Sequence, residues 1–268
     1  MRYAVHMKTD VNPLVGPPPA EVPLPRAPLV QVIAQVRFPP ILSIADQAKV
    51  ARFQEAIAAT YPILREETTQ TISVGATALI EDQKAWRFSD VATNWRVTLT
   101  ANFLSLETNA YSNRAEFLNR FELLLDVLAK NFNPAQLDRF GIRYIDRIVG
   151  DELNDIAQLV EAPVRGLVGT NAEANAALSI SESVFITDEG QVIARWGKLP
   201  PNATIDPSAL VPLNESSWIL DLDMFSMEPE PFDSKRIIQL AEIYAMRLYS
   251  VFRWAVNDEF LKRFGGVV

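Results

Sequence analysis

The sequence predicts an α+β fold: two tandem β-α-β(3-4)-α halves that share an antiparallel sheet and lay their long helices on one face. Two observations carry this expectation. Segments of period-two alternation, such as residues 29–38, outnumber the helical stripes, and only two of those stripes are long. The stretch 95–131 runs strand, short strand or turn, long amphipathic helix, and that order recurs over 218–257.

Taken in order, residues 1–28 hold seven of the eighteen prolines and show no apolar period. They are expected to form a flexible, proline-rich arm, with a ligand for a partner domain as the sharper alternative. Within the arm, His6-Met7 fits either native sequence or a leader before a native start at Met7. The first half, 29–134, opens on a strand over 29–38. Val30, Val32, Ala34, Val36 and Phe38 share one face, and Gln31, Gln35 and Arg37 the other. Pro39-Pro40 end it. Asp46 caps an expected helix to about Thr60, with Ala48, Val50, Phe53 and Ile57 inward. Three β segments follow, at 71–80, 84–90 and from Trp95, the first two joined by a polar turn at Glu81-Asp82-Gln83. Ile72, Val74, Ala76, Ala78 and Ile80 alternate in the first of them. Ser112 stands where an N-cap belongs, and Phe117, Phe121, Leu124, Leu125, Leu128 and Phe132 make one apolar stripe until Pro134 stops the helix.

The second half, 135–268, is expected to pack with the first as one unit. A strand over 139–149 puts Phe140, Ile142, Tyr144 and Ile148 on one side. A short helix over 151–161, a loop over 162–175 and a hairpin turned at Asp188-Glu189-Gly190 follow. Residues 198–216 carry Pro200, Pro201, Pro207 and Pro212 and read as an irregular excursion. Trp218 opens the next strand, Asp233 caps a helix to about Asn257, and a short helical tail stops at Gly265-Gly266.

WRVTLTANF and WILDLDMF, starting at Trp95 and Trp218, each place an apolar residue four positions after Trp and end on Phe. Val36-Arg37-Phe38 matches Ile142-Arg143-Tyr144 in the same way. A period near a hundred residues means a duplicated unit, not a solenoid. The element order resembles the TATA-binding-protein fold, itself duplicated, and the helix-grip folds. Such analogy speaks to architecture alone.

The totals remove whole classes of function. A net charge of −8 opposes general nucleic-acid binding, which needs cations against phosphates, and weakly opposes an anionic membrane surface. No apolar run approaches the ~20 residues of a bilayer span, and no signal-peptide-like stretch opens the chain. With no cysteine, thiol catalysis, disulfides and iron–sulfur clusters are excluded. The single histidine, His6, lies in the arm, which removes a Ser–His–Asp triad and histidine-based metal sites. Nucleotide-binding glycine motifs and GxSxG are missing too.

Four stretches, APLVQVIAQVRFPP from Ala27, WRVTLTANFLSLETNAYSNRAEF from Trp95, FGIRYIDRI from Phe140 and FRWAVNDEFLKRFGG from Phe252, resemble a sporadically distributed bacterial family of conserved proteins of unknown function. The resemblance spans 27–266. It implies a single full-length unit, bacterial and cytoplasmic, with an accessory role, and it brings no catalytic residues.

Two constellations remain. Asp221 and Asp223, two apart on one strand face, could share a divalent cation; cross-strand pairing with Arg143 and Arg147 is the simpler alternative. Arg37, Arg96, Arg143 and Arg147, with Gln31 and Gln35, could line a sheet face that binds an anion or an acidic partner; a solvated face is the simpler alternative. The five tryptophans fall at or beside periodic apolar positions and are expected in the core. Arg37, Arg143, Arg147, Asp221 and Asp223 are therefore the candidate ligand-binding residues, with no catalytic residue, metal or cofactor assigned. The expected function is non-enzymatic recognition of a protein partner or a second copy, without nucleic acid or membrane. A helix-grip-like small-ligand binder or a carboxylate/metal-dependent hydrolase is the alternative. A large pocket between a long helix and the sheet would favour that alternative.

Overall fold

Alternation decides which side chains each central strand buries. Val32, Ala34 and Val36 of β1 (Leu29–Arg37) are fully buried, while Gln35 and Arg37 point the other way. The structure, a computed structural model, describes residues 12–73, 79–226 and 228–268. After β1 come α1 (Gln47–Ile57), β2 (Ile63–Ser73), β3 (Leu79–Ser89), β4 (Trp95–Thr100), β5 (Phe103–Thr108) and α2 (Arg114–Phe132). Then follow β6 (Gln136–Leu137), β7 (Arg139–Ile148) and the short turns α3 (Gly150–Asn154), α4 (Ile156–Leu159) and α5 (Ala162–Arg165). The chain closes with β8 (Ser179–Ile186), β9 (Gln191–Leu199), β10 (Ser217–Ser226), β11 (Glu230–Pro231), α6 (Ser234–Ala255) and α7 (Asp258–Arg263).

Among the described residues, nine strands form one antiparallel sheet in the order β2-β3-β4-β5-β1-β7-β10-β9-β8. The fold is thus α+β around a large antiparallel sheet. The stripes of α1, α2 and α6 bury Phe53, Phe121, Leu124, Ala241, Tyr244 and Leu248 against one face, in a core shared with Val97, Leu106, Ile142 and Leu222. Each fully buried Leu or Phe contributes about 1.5–3 kcal/mol. Trp86, Trp95, Trp196 and Trp218 belong to that core, and Trp254 is half-buried beside it. No helix of the described residues is long and apolar enough to cross a membrane.

Several expectations change. The β2–β3 ladder pairs Ser73 with Leu79 and Thr71 with Glu81, so Glu81-Asp82-Gln83 lies within β3 and is not a turn. Its backbone register sets Asp82 opposite Gln70 and Gln83 opposite Thr69, and a run of three polar residues in sequence mimics a turn there. The alternation expected over 72–80 falls outside the described residues except that Ile72 faces Ile80. Ala48 is exposed; Val50, Phe53 and Ile57 carry the buried stripe of α1. A register shift between Leu29 and Gln31 turns Val30 to the opposite face, where it packs with Ile33 against the cluster of Ile145, Leu210 and Ile219. The cap of α2 is Asn113, whose Oδ1 accepts from the Glu116 amide at 2.9 Å, while the Ser112 hydroxyl bonds the Glu116 carboxylate. Residues 162–165 are helical rather than loop.

The strands carrying Trp95 and Trp218 do not occupy matching places. β10 borders central β7, whereas β4 is separated from central β1 by β5. Trp95 and Trp218 therefore open strands at different distances from the centre of the sheet.

Two segments without regular structure are tightly held. From Asn12 onward the proline-rich arm is seated on α6 and α7: Arg247 Nη1 donates to the Gly16 carbonyl at 2.9 Å, and the Val22 amide to Tyr249 Oη at 2.7 Å. The Arg26 amide donates to the Phe264 carbonyl at 3.2 Å. The excursion over 200–216 folds back on the sheet face opposite the helices, where Ala209 and Leu210 bury Ile145 and Ile219. Gly197 lets β8 and β9 approach. At φ +144°, a Cβ there would stand 1.9 Å from the Ser179 carbonyl oxygen.

Candidate functional site

The residues singled out by sequence fall into three settings on the sheet face away from the helices. Arg143 and Asp221 come together: Nε and Nη2 of Arg143 donate to the two carboxylate oxygens of Asp221 at 2.7 and 2.9 Å. Arg143 Nη1 also donates to Asp206 of the excursion at 2.6 Å, and Arg195 Nη1 reaches Asp221 at 3.2 Å. Fully buried Asp221 thus has both oxygens occupied by guanidinium groups. Its two carboxylate neighbours hold the Arg143 charge, pushing that pKa up against the opposing effect of burial. At Asp206, burial pushes upward, but the Ser208 and Arg143 hydrogen bonds outweigh it and hold the carboxyl below its ordinary value. Bidentate pairing of this sort is strong and directional. It links β7 to β10, and the remaining Arg143 nitrogen, bonded to Asp206, fastens the excursion to the sheet.

Arg147 is apart from that network and donates from Nη1 to the Val211 carbonyl at 2.6 Å, pinning the far end of the excursion. Asp223 lies opposite Arg143 in the ladder but pairs with Arg139 at 3.5 Å; burial pushes its carboxyl upward. Arg37 is exposed and donates to Gln35 Oε1 at 3.0 Å. A cation at Asp221 would have to displace Arg143. Among the described residues no group of three or more carboxylates or histidines is placed to hold a metal ion.

A different place has the shape of a binding site. Between the two long helices and the sheet lies a cavity of about 370 Å³. Its floor is Leu29, Tyr144, Asp146 and Leu222 of β1, β7 and β10. Tyr111 to Arg114 wall it at the start of α2, Ala245, Leu248, Tyr249 and Phe252 wall it along α6, and arm residues 21–25 line a further side. Glu21 and Arg114 form an ion pair at its rim. The Tyr111 and Tyr144 rings meet edge to face, 5.8 Å apart at 87°. Burial pushes both phenols up, so each keeps its hydroxyl proton at neutral pH.

Asp146 is the unusual member. It lies on the apolar face of β7 with Phe140, Ile142 and Ile148, is only 6% exposed, and its carboxyl has no hydrogen-bond or ion-pair partner among the described residues. Burial alone pushes its pKa up to about 7. The sequence carries the signal. In RFGIRYIDRI, alternation assigns positions 140, 142, 144, 146 and 148 to one face, and an acid occupies the fourth of them.

Compared with protein-family models and with curated proteins, the chain matches none.

Proposed function

We propose that this is a small-molecule-binding protein, and that its ligand occupies the cavity between the long helices and the sheet. The observation that carries this reading is the cavity itself, about 370 Å³ and mostly walled by apolar and aromatic side chains, with one buried, unpartnered carboxyl at its floor. Ligand sites have this character: an apolar lining with a few placed polar groups. The reading takes the chain as a duplicated unit resembling the TATA-binding-protein and helix-grip folds, and as similar to a bacterial family of unknown function. The register is consistent with duplication: a two-fold axis at the Gln35–Gly141 pair relates Val36 to Ile142, the same match that the sequence makes. The helix caps Asn113 and Asp233 follow β5 and β10 at the same distance from residues 105 and 225, which lie opposite Gln35 and Gly141. The test is a small-molecule panel read by thermal shift on the natural chain and on Ala245→Phe, which fills the cavity. Compounds that raise Tm of the former and not of a folded variant support the reading. A panel that shifts both alike, or neither, counts against it.

A second reading, recognition of a protein partner, is favoured by the sheet face of the first half. There a depression of about 340 Å³ is lined by Arg65, Glu67, Arg87, Arg96 and Glu107. Arg65→Glu and Arg96→Glu are expected to weaken any self-association seen by analytical ultracentrifugation. A monomer at all concentrations removes the homo-oligomer form of this reading.

A further inference from the structure

We infer that the cavity selects a small organic cation, a protonated amine carried on an apolar or aromatic body, whose ammonium group docks on Asp146. The inference rests on the ligand-pocket reading and deepens it.

Charge decides between ligand classes. The charged side chains lining the cavity are Glu21, Arg114 and Asp146. Glu21 and Arg114 neutralise each other in their ion pair, which leaves the Asp146 carboxylate uncompensated. An anionic ligand would meet that carboxylate at the floor. A monocation would balance it. A buried carboxylate is costly unless it is paired and hydrogen-bonded, and among the described residues the protein supplies Asp146 no such partner. A ligand ammonium brings both the charge and the donors.

The walls fit the same chemistry. Tyr111, Tyr144, Tyr249 and Phe252 present four aromatic rings to one small space. Ring faces attract cations, and do so best where water is excluded. Leu29, Leu222 and Leu248 supply apolar surface for the rest of the ligand. The cavity lies at the small end of the range for ligand pockets, about 300–1,000 Å³, which suits a single-ring amine.

Proton linkage follows from Asp146. The groups facing it are Tyr144 from its own strand, Tyr111 and Arg114 from the start of α2, Tyr249 from α6 and Glu21 from the arm; β1 and β10 contribute only Leu29 and Leu222. With the free carboxyl titrating near 7, docking an ammonium must expel its proton at lower pH. Affinity therefore falls below neutrality and levels off above it, while the amine remains charged.

The experiment is isothermal titration calorimetry of the full chain with three isosteric probes: 2-phenylethylamine, 2-phenylethanol and phenylacetate. Each is titrated into the natural protein, Asp146→Asn and Ala245→Phe at pH 6 and pH 8, with near-UV circular dichroism to establish folding. The expected result is that the amine binds tightest at pH 8, by about ten- to a hundredfold over the alcohol, the worth of a charge-assisted hydrogen bond. The same preference is lost in Asp146→Asn, and Ala245→Phe binds none of the probes. If the alcohol or phenylacetate equals the amine, and Ala245→Phe still abolishes binding, the cation inference is overturned while the pocket reading survives. If no probe binds at millimolar concentration, or Ala245→Phe binds them all unchanged, both are overturned.

Discussion

Replacing Asp146 by Asn should make the protein more stable, and by an amount that depends on pH. A carboxyl that titrates at its ordinary 3.8 in the unfolded chain and at about 7 in the folded one binds its proton more tightly when folded. Its folded pKa is raised, so nothing is lost below pH 3.8, where both states are protonated. As pH rises towards 7 the unfolded chain is already ionised while the folded one is not. Stability then falls by ~1.4 kcal/mol per pH unit and levels off once both states are ionised. The full effect is about 4 kcal/mol. Asn has the shape of the neutral acid and no charge to bury. The stability difference between Asp146→Asn and the natural chain should therefore grow by ~2–3 kcal/mol between pH 5 and pH 8. Every other titrating group is common to the two chains and cancels. Urea unfolding at a series of pH values, with m-values compared, measures it. A difference that stays flat from pH 5 to pH 9 would refute the reasoning, because Asp146 would then be solvated or paired.

Gly197→Ala should cost about 2–4 kcal/mol, read as a lowered Tm, because a Cβ 1.9 Å from the Ser179 carbonyl oxygen forces β8 away from β9. Asp221→Ala should cost about 2–3 kcal/mol, since it removes the bidentate partner of Arg143, which is left with Asp206 alone, and one of the two carboxylates that Arg195 meets; the double replacement Asp221→Leu/Arg143→Met should be milder. Equal losses in the single and double variants would show that the pair is not coupled. Tyr249→Phe removes the acceptor for the Val22 amide, so limited proteolysis should cut within residues 12–28 sooner, with global stability down by only about 1 kcal/mol. Unchanged cleavage would mean that the arm is held elsewhere.

Much of the fold is legible in the residues because it rests on local period and local capping. The buried stripes of β1 and α2, the Asp233 cap and the Asp188-Glu189-Gly190 hairpin turn all follow from neighbours in sequence. What is not legible depends on partners far along the chain. The bulge that turns Val30 over is set by pairing with β7. Trp95 and Trp218 look equivalent because each opens an alternating strand, yet sheet position depends on which strands pair, and β5 rather than β4 borders β1. The excursion over 200–216 lacks any period, and its docking on Ile145 and Ile219 is a tertiary event. The arm gains its place from Arg247, Tyr249 and Arg253, more than two hundred residues away.

The site divides along the same line. Arg143 and Asp221 stand out in sequence as charges at regular spacing, and the structure joins them in a bidentate ion pair, with Arg143 also holding Asp206 of the excursion. Asp146 was visible only as an exception, one acid in an apolar stripe. Its meaning depends on the cavity above it, which five separate stretches of the chain line.

The central claim is that this cavity holds a ligand against Asp146. A crystal structure of the protein grown with 2-phenylethylamine tests it most directly. The amine is expected inside the cavity, its nitrogen about 2.7–3.2 Å from an Asp146 carboxylate oxygen and its ring among Tyr111, Tyr144 and Phe252. An unoccupied or collapsed cavity, with Asp146 bonded instead to another group of the protein, would contradict it.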